Sequence, residues 1–473
     1  MTAITSRKRR KLFVTLAGAA VTLLFMFHNF RDVVGAESLN FSQQTHNVTL
    51  DQGGDSGKMV EHETEHQAVT TIPEDKATTT IPEDQAATTT PEDQATATSP
   101  EDGSAETGVN PAKYVAAIMD PEDTSFPRLE CSSTVQPRYD YLKRTPTSTS
   151  KSSSATARGK IKYFFALDLY ECSPLIPRLL GSVVQTIRFL GPENCAISVV
   201  EGRSKDGTLE ILEAVRGDLE KMGVEYHLGT NGVDPKGGGN DRIRALADLR
   251  NQVLQPLVDS PEHYALNATV VFLNDISLCM DDILELIHQR VIQDADMTCA
   301  MDWIAGGELF YDVWVSRGIN GDIFFEIPQN GEWAFAKNLF WNDPSTKQRL
   351  DSHLPFQVYA CWNGATAFTA TPVLQKKITF RASADGECYM GEPTLFCKDL
   401  WAHGYNKIAV VPSVNVGYND EESRKVKARQ GKVGDYVNSD SQEGPELIEW
   451  QREPPPMVKC LPEWGSPSWV APV

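Results

Sequence analysis

The carboxylate whose placement most suggests chemistry is Asp275. It follows Val270-Val-Phe-Leu273, an apolar, partly β-branched run that reads as a strand, so an acid stands where the strand stops. In open α/β sheets ligands bind beyond the carboxyl ends of the strands. A carboxylate there suits a divalent ion, and all-oxygen ligation suits Mn²⁺ or Mg²⁺. Such an ion would neutralise a departing diphosphate as a Lewis acid. The competing duty is helix capping, but Asp281 and Asp282 already serve the next helix, and Asp275 lies six residues earlier, out of capping reach.

Three further clusters carry candidates. Glu201 ends a second apolar run and is followed by the polar turn Gly202-Arg-Ser-Lys-Asp206-Gly-Thr208. Carboxylates there can accept hydrogen bonds from a nucleoside, and an Asp-Gly turn capped by Ser and Thr equally needs no ligand. Asp302 and Asp312 bracket Trp303 and Tyr311, with Arg317 and Asp322 beyond. Aromatic faces and carboxylates suit a sugar, and an ordinary loop with surface ion pairs has the same composition. In Gly391-Glu392-Pro393, with Gly404 downstream, Pro suits a first helical turn and Gly a helix end, which puts Glu392 at a helix N-terminus. His403 at the other end is either a late metal ligand or a contact to the helix dipole.

The elements that position these acids alternate. Strands are predicted over 161–167, 196–200, 224–228, 270–273 and 297–301, with helices over 175–190, 209–221, 241–258 and 281–293. That order implies an α/β fold with a mostly parallel sheet.

The N-terminal third differs. Arg7-Lys-Arg-Arg-Lys11 precedes a 19-residue uncharged run from Leu12 to Phe30, about 28 Å as a helix and close to a hydrocarbon core. The basic cluster predicts a cytoplasmic tail (1–11), a signal anchor (12–30) and a lumenal remainder; a signal peptide cleaved after Ala36 is the alternative. Pro-Glu-Asp recurs at 73, 82, 91 and 100, between Thr-rich tracts. Residues 31–151 hold 21 Asp/Glu against 9 Lys/Arg, a composition too polar to offset chain entropy. A disordered stem is expected over 31–157, a globular region over 158–425 and an extension over 426–473. Asn40, Asn47 and Asn267 begin N-glycosylation sequons. The net charge of −20 disfavours nucleic acid. Nine cysteines without CxxC pairs argue against a structural zinc module.

In order, Glu201-Gly-Arg-Ser-Lys-Asp-Gly-Thr208, Arg250-Asn251, Phe272-Leu-Asn-Asp275 and Glu392 before Gly404-Tyr405 resemble a GT-A glycosyltransferase. More narrowly, Phe272-Leu-Asn-Asp-Ile276, Ala295-Asp-Met-Thr-Cys-Ala-Met-Asp-Trp303, Phe310-Tyr-Asp-Val-Trp-Val-Ser-Arg317 with Asn320-Gly-Asp322, and Lys398-Asp-Leu-Trp401 resemble the fungal capsule α-1,3-mannosyltransferase family, glycosyltransferase family 69. The resemblance covers roughly residues 158–420. It implies a Golgi enzyme of capsule or cell-wall glycan synthesis, taking GDP-mannose as donor and a mannose-containing glycan as acceptor, with retention of configuration. Asp275 would hold Mn²⁺ (or Mg²⁺), with His403 a second candidate ligand. Glu201 and Asp206 would meet the nucleoside, and Arg242 or Arg250 the phosphates. Asp302, Asp312 and Asp322 would bind donor sugar or metal, and Glu392 would orient or deprotonate the acceptor hydroxyl. One departure stands out: a strict Asp-x-Asp is missing, because Asp275-Ile-Ser277 ends in serine, while Asp294-Ala-Asp296 follows a helix. Asn274 and Ser277 are candidate auxiliary oxygens, and Asp296 is the fallback ligand. Alternatives are a non-catalytic GT-A-like protein of polysaccharide export, a secreted binding protein, or an enzyme using another sugar nucleotide.

Overall fold

Five apolar runs become the first five strands: β1 (Ile161–Leu169), β2 (Cys195–Glu201), β3 (Glu225–Thr230), β4 (Tyr264–Leu273) and β5 (Met297–Ile304). The helices between them are α2 (Ile176–Leu190), α3 (Thr208–Met222), α4 (Arg242–Asp259) and α5 (Met280–Ile292), preceded by α1 (Pro111–Met119). After β5 come β6 (Leu309–Phe310), β7 (Arg317–Gly318), α6 (Pro344–Asp351), β8 (Phe356–Ala360), β9 (Ala365–Thr369), α7 (Glu392–Ala402), β10 (Ile408–Val416) and α8 (Asp420–Gln430). A short hairpin, β11 (Val458–Cys460) with β12 (Ser468–Val470), closes the chain. This computed structural model describes residues 108–132, 136–143, 161–237, 241–328, 333–437, 447–463 and 465–472. The anchor, the repeats and the two N-terminal sequons fall outside the described residues. Among those described, no helix is long and apolar enough to cross a membrane.

The main sheet runs β3-β2-β1-β4-β9-β5-β10-β8-β7. β1 pairs in parallel with β2 and β4, β2 with β3, and β5 with β10. β9 is antiparallel to both β4 and β5, and β8 to β10. The α/β class and mostly parallel sheet expected from the sequence are therefore observed. The chain moves outward from β1 to β3 and returns to β4 on the other side of β1. That reversal is a topological switch point, the place where α/β sheets bind ligands.

Strand alternation sorts the core onto two faces. Tyr163, Phe165 and Leu167 pack with α2, α3 and α5 on one face, and Phe164, Ala166 and Phe272 pack with α4 and α7 on the other. By the same parity Asp168 belongs to the α4/α7 face.

Two expected boundaries move. The stem was expected to run to 157, yet α1 packs on α2 and α3, Ala117, Ile118 and Leu142 are buried, and Cys131 is disulfide-bonded to Cys279. Few apolar residues suffice here because α2 and α3 offer a ready surface. The 426–473 extension is likewise woven in: Arg317 donates to Lys459 O, Trp314 Nε1 to Leu461 O, and Cys460 bonds Cys388. Asn267 is exposed within β4, which begins at Tyr264, ahead of the strand start expected at Val270.

Candidate active site

The cleft is built from strand ends. Just past β4, Ile276 N donates to Asn274 O (2.9 Å), a tight turn that projects Asp275. Asn274 N donates to Gly364 O (2.9 Å), and Trp362 Nε1 donates to Asn274 Oδ1 (3.0 Å). The turn Trp362-Asn363-Gly364 between β8 and β9 thus braces the Asp275 loop. Asn363 and Gly364 both adopt positive φ (55° and 76°); at Gly364 a Cβ would press within 3.2 Å of Ile276 Cγ2, so glycine suits the spot. Asp275 is open to solvent while protein crowds it on its other sides. That desolvation pushes its carboxyl up to about 6, against the pull of its own amide and Arg250.

Neither auxiliary oxygen expected beside Asp275 is available. Ser277 is buried; its hydroxyl donates to Asp420 Oδ1 (2.5 Å) and its amide to Gly417 O (2.9 Å). Asn274 Oδ1 is occupied by Trp362. The fallback Asp296 precedes β5, at the opposite end of that strand from Asp302, and accepts from Lys407 N (3.0 Å).

Asp302 and Asp312 do come together. Asp302 is fully buried; its Oδ2 accepts from Tyr418 (2.6 Å) and its Oδ1 from the Asp312 amide (3.3 Å). Asp312 Oδ2 accepts from Asn363 N (2.7 Å). Burial raises the Asp302 carboxyl well above the usual range, and the neighbouring Asp312 adds to it; burial also lifts Asp312 to about 6. The aromatic residues expected to stack on sugar are otherwise engaged. Trp303 is 6% exposed and donates to Asn415 (2.8 Å), and Tyr311 packs on Tyr418 at 4.8 Å.

Arg250 and Glu392, far apart in sequence, form a buried pair. Arg250 Nε donates to Glu392 Oε1 (2.8 Å), with side chains 11% and 3% exposed. The guanidinium lies 4.5 Å from the Trp362 ring, 5.2 Å from Phe272 and 5.7 Å from Phe380. Its Nη1 is a buried donor without a partner among the described residues. Arg250 was expected at the phosphates; it is committed instead through Nε to Glu392 and through its faces to an aromatic cage, with its terminal Nη groups left for the cleft. Its charge also acts on Asp168, Asp275 and Asp312.

Asp168, at the end of β1, was missed in the sequence. Burial pushes its carboxyl to about 6; Arg250 opposes this, and Asp275 and Glu392 reinforce it. The signal that singled out Asp275, an acid ending an apolar strand, applied equally to Asp168. Tyr418 and Asn363 carried no comparable signal, being ordinary polar residues until the fold brings them beside Asp302 and Asp312.

The remaining expected residues divide. Glu201 is buried and accepts from Ser204 N (2.7 Å). Asp206 accepts from Ser173 N (2.8 Å), Thr208 Oγ1 (2.6 Å) and Thr208 N (3.1 Å). Burial would raise the Asp206 carboxyl, but these bonds prevail and hold it below its ordinary value. It ties the loop after β1 to the start of α3. Arg242, the first residue of α4, exerts its charge on Tyr311 and Tyr389 and so borders the cleft. Asp322 is occupied outside the cluster, by Lys459 Nζ (2.8 Å) and Asn342 Nδ2 (2.9 Å). His403 caps α7 at the end opposite Glu392, about 16 Å away along the helix. Its Nδ1 lies 2.8 Å from Asp399 O, so it does not join the acids as a ligand.

Among the described residues, the group of three potential ligands whose atoms lie within 4.8 Å of one another is Cys131, Cys279 and Asp281, and its two sulfurs form a disulfide. The cleft therefore offers separate carboxylates instead of a closed cage. This donor set fits an ion that binds one or two carboxylates and completes its shell with water and substrate phosphates.

Residues 162–399 match the family described as Cryptococcal mannosyltransferase 1. The chain is similar to the α-1,3-mannosyltransferase CMT1 of Cryptococcus neoformans var. neoformans serotype D, 34% identical over 340 residues, covering 66% of this chain and 72% of the relative. Among solved structures it is similar to S. aureus TarS 1-349 (14% identity, 60% of this chain and 67% of that one, TM-score 0.33). It is also similar to mannosyltransferase PcManGT from Pyrobaculum calidifontis in complex with GDP-Man and Mn2+ (11% identity, 60% and 62%, TM-score 0.32).

Proposed function

The chain belongs to the cryptococcal mannosyltransferase 1 family and is a mannosyltransferase, and from that premise we propose that it transfers mannose from GDP-mannose to a mannose-containing glycan through an α-1,3 linkage, with retention. The observation that carries this reading is the pairing of two features at one crevice. Asp275 presents a carboxylate to solvent with no side-chain partner among the described residues, and Arg250–Glu392 stands within electrostatic reach of it.

In this reading Asp275 would hold Mn²⁺ or Mg²⁺ beside the donor's diphosphate. The ion, when bound, supplies charge neutralisation for the leaving diphosphate. The bond from the sugar's C1 to that diphosphate breaks, a bond from C1 to the acceptor oxygen forms, and the acceptor hydroxyl gives up its proton. Glu392 orients that hydroxyl or takes its proton through Oε2, because Oε1 is held by Arg250. Arg250 Nη1 donates to the bound substrate, which would satisfy a buried donor that otherwise costs about 1–3 kcal/mol. Glu201 borders the nucleoside, and Arg242 the phosphates. Asp302 and Asp312 shape the floor under the sugar. Three disulfides support folding in an oxidising compartment, which agrees with a Golgi enzyme anchored through residues 12–30.

The test is a sugar-nucleotide panel with α-mannobiose as acceptor, with and without Mn²⁺, and determination of the product linkage. GDP-mannose should give an α-1,3 product. Asp275→Asn should lose on the order of 100-fold or more in turnover while remaining folded. Full transfer by folded Asp275→Asn would remove the metal assignment, and turnover with a different donor alone would remove GDP-mannose.

A further inference from the structure

The aromatic residues first expected to receive a sugar are buried or stacked away, yet one aromatic face remains open beside Glu392. Tyr389 lies three residues before it in the chain and is 43% exposed. Its ring centroid is 6.0 Å from that of Trp314, the planes inclined at 47°. Gly391 lets the loop lie this close: a Cβ there would come within 2.8 Å of Val315 Cγ1 and 3.1 Å of Trp314 Cζ3.

The loop carrying Tyr389 is held firmly. Arg381 spans Glu387 (2.6 and 3.1 Å) and Asp399 (2.7 and 2.8 Å), and so fastens the loop to α7. Lys398 adds a bond to Glu387 (2.7 Å). Cys388 is bonded to Cys460, and Trp314 Nε1 donates to Leu461 O (2.7 Å), so the C-terminal segment backs both rings. An exposed aromatic ring usually moves freely; this one stands on a braced loop. Asp241, Arg242 and Glu392 are close enough for their charges to act on Tyr389. An aromatic face bordered by carboxylates and a guanidinium is matched to a pyranose, whose C–H face stacks while its hydroxyls meet the charged groups.

We propose that Tyr389, backed by Trp314, is the stacking platform that receives the acceptor's sugar ring and presents its hydroxyl to Glu392. This rests on Glu392 facing the acceptor. Stacking needs the ring and not the phenol hydroxyl, which separates Tyr389→Ala from Tyr389→Phe.

Steady-state transfer to α-mannobiose is measured for the full chain and both variants, with thermal unfolding as the folding control. Tyr389→Ala should raise the acceptor KM about fivefold, with the donor KM moving less than about twofold. Tyr389→Phe should restore the acceptor KM to within about twofold of wild type. An unchanged acceptor KM in Tyr389→Ala, an equal rise in both KM values, or a Phe variant as impaired as the Ala variant would each overturn the platform. Should wild type not turn over GDP-mannose at all, saturation-transfer NMR with α-mannobiose decides. Signal lost in Tyr389→Ala and kept in Tyr389→Phe upholds the platform while the donor reading fails, and equal signal in all three overturns it.

Discussion

Arg250 and Glu392 should be strongly coupled, and a double-mutant cycle measures by how much. Glu392 is 3% exposed and Arg250 11%, so neither charge can turn to water if its partner is removed. Arg250→Met strands the Glu392 carboxylate, and breaking a buried pair costs about 3–5 kcal/mol. It also removes a cation 4.5 Å from the Trp362 ring, worth up to about 2 kcal/mol in a desolvated setting, although the methionine chain regains part of that packing. Glu392→Gln leaves Arg250 Nε with a weaker acceptor, beside an Nη1 without one among the described residues, and should cost about 2–3 kcal/mol. The double variant replaces the pair with two uncharged chains, which removes the stranded charge. It does not return to wild type, because Asp168, Asp275 and Asp312 lose the cation that acts on all three. Urea unfolding of the four proteins at pH 7 should therefore give a coupling energy of about 2–4 kcal/mol, with the double variant more stable than Arg250→Met alone. Additive single effects, within about 0.5 kcal/mol, would refute the buried pair as the organiser of this cluster.

Two other predictions follow from the same geometry. Asp168 has a folded value of about 6 against an ordinary 3.8, so the folded state binds its proton more tightly than the unfolded chain does. The associated stability is fully present below about pH 4 and lost as pH rises through 6. Asp168→Asn should therefore raise unfolding free energy at pH 7 by up to about 3 kcal/mol, with the gain vanishing toward pH 4; a gain equal at both ends of a thermal-unfolding pH series would contradict the burial cause. Asp206→Ala should cost about 1–2 kcal/mol of stability in urea unfolding through its lost bonds to Ser173 and Thr208, and unaltered stability with a tenfold higher donor KM would make it a nucleoside contact instead.

How much of this was legible in the sequence depends on the range of each interaction. The five leading strands and the helices between them were visible because strand and helix periodicity is local, and α4 begins one residue from its expected start at Asp241. Asp275 was visible for a related reason: a carboxylate that ends an apolar run is a local pattern. The same pattern failed at Asp302, whose strand was expected to stop at 301 but runs to Ile304, so the acid is buried in the sheet instead of exposed beyond it. Spacing suggested that Ser277 could share a ligand with Asp275, since one residue separates them as in an Asp-x-Asp. It could not reveal that Ser277 pairs with Gly417 and Asp420, more than 100 residues later. Arg250 shows the limit most clearly. From the sequence it was one of several arginines on an amphipathic helix, and its charge made phosphate the natural partner. Its neighbours are contributed by the end of β4, the turn into β9, the loop before α7 and α7 itself, segments from Phe272 to Glu392. A cation enclosed by three rings and a carboxylate is a property of the folded crevice alone. That enclosure also argues that Arg250 acts first on Glu392, because its Nε is bonded and its faces are covered, which leaves only its terminal Nη groups to offer a phosphate.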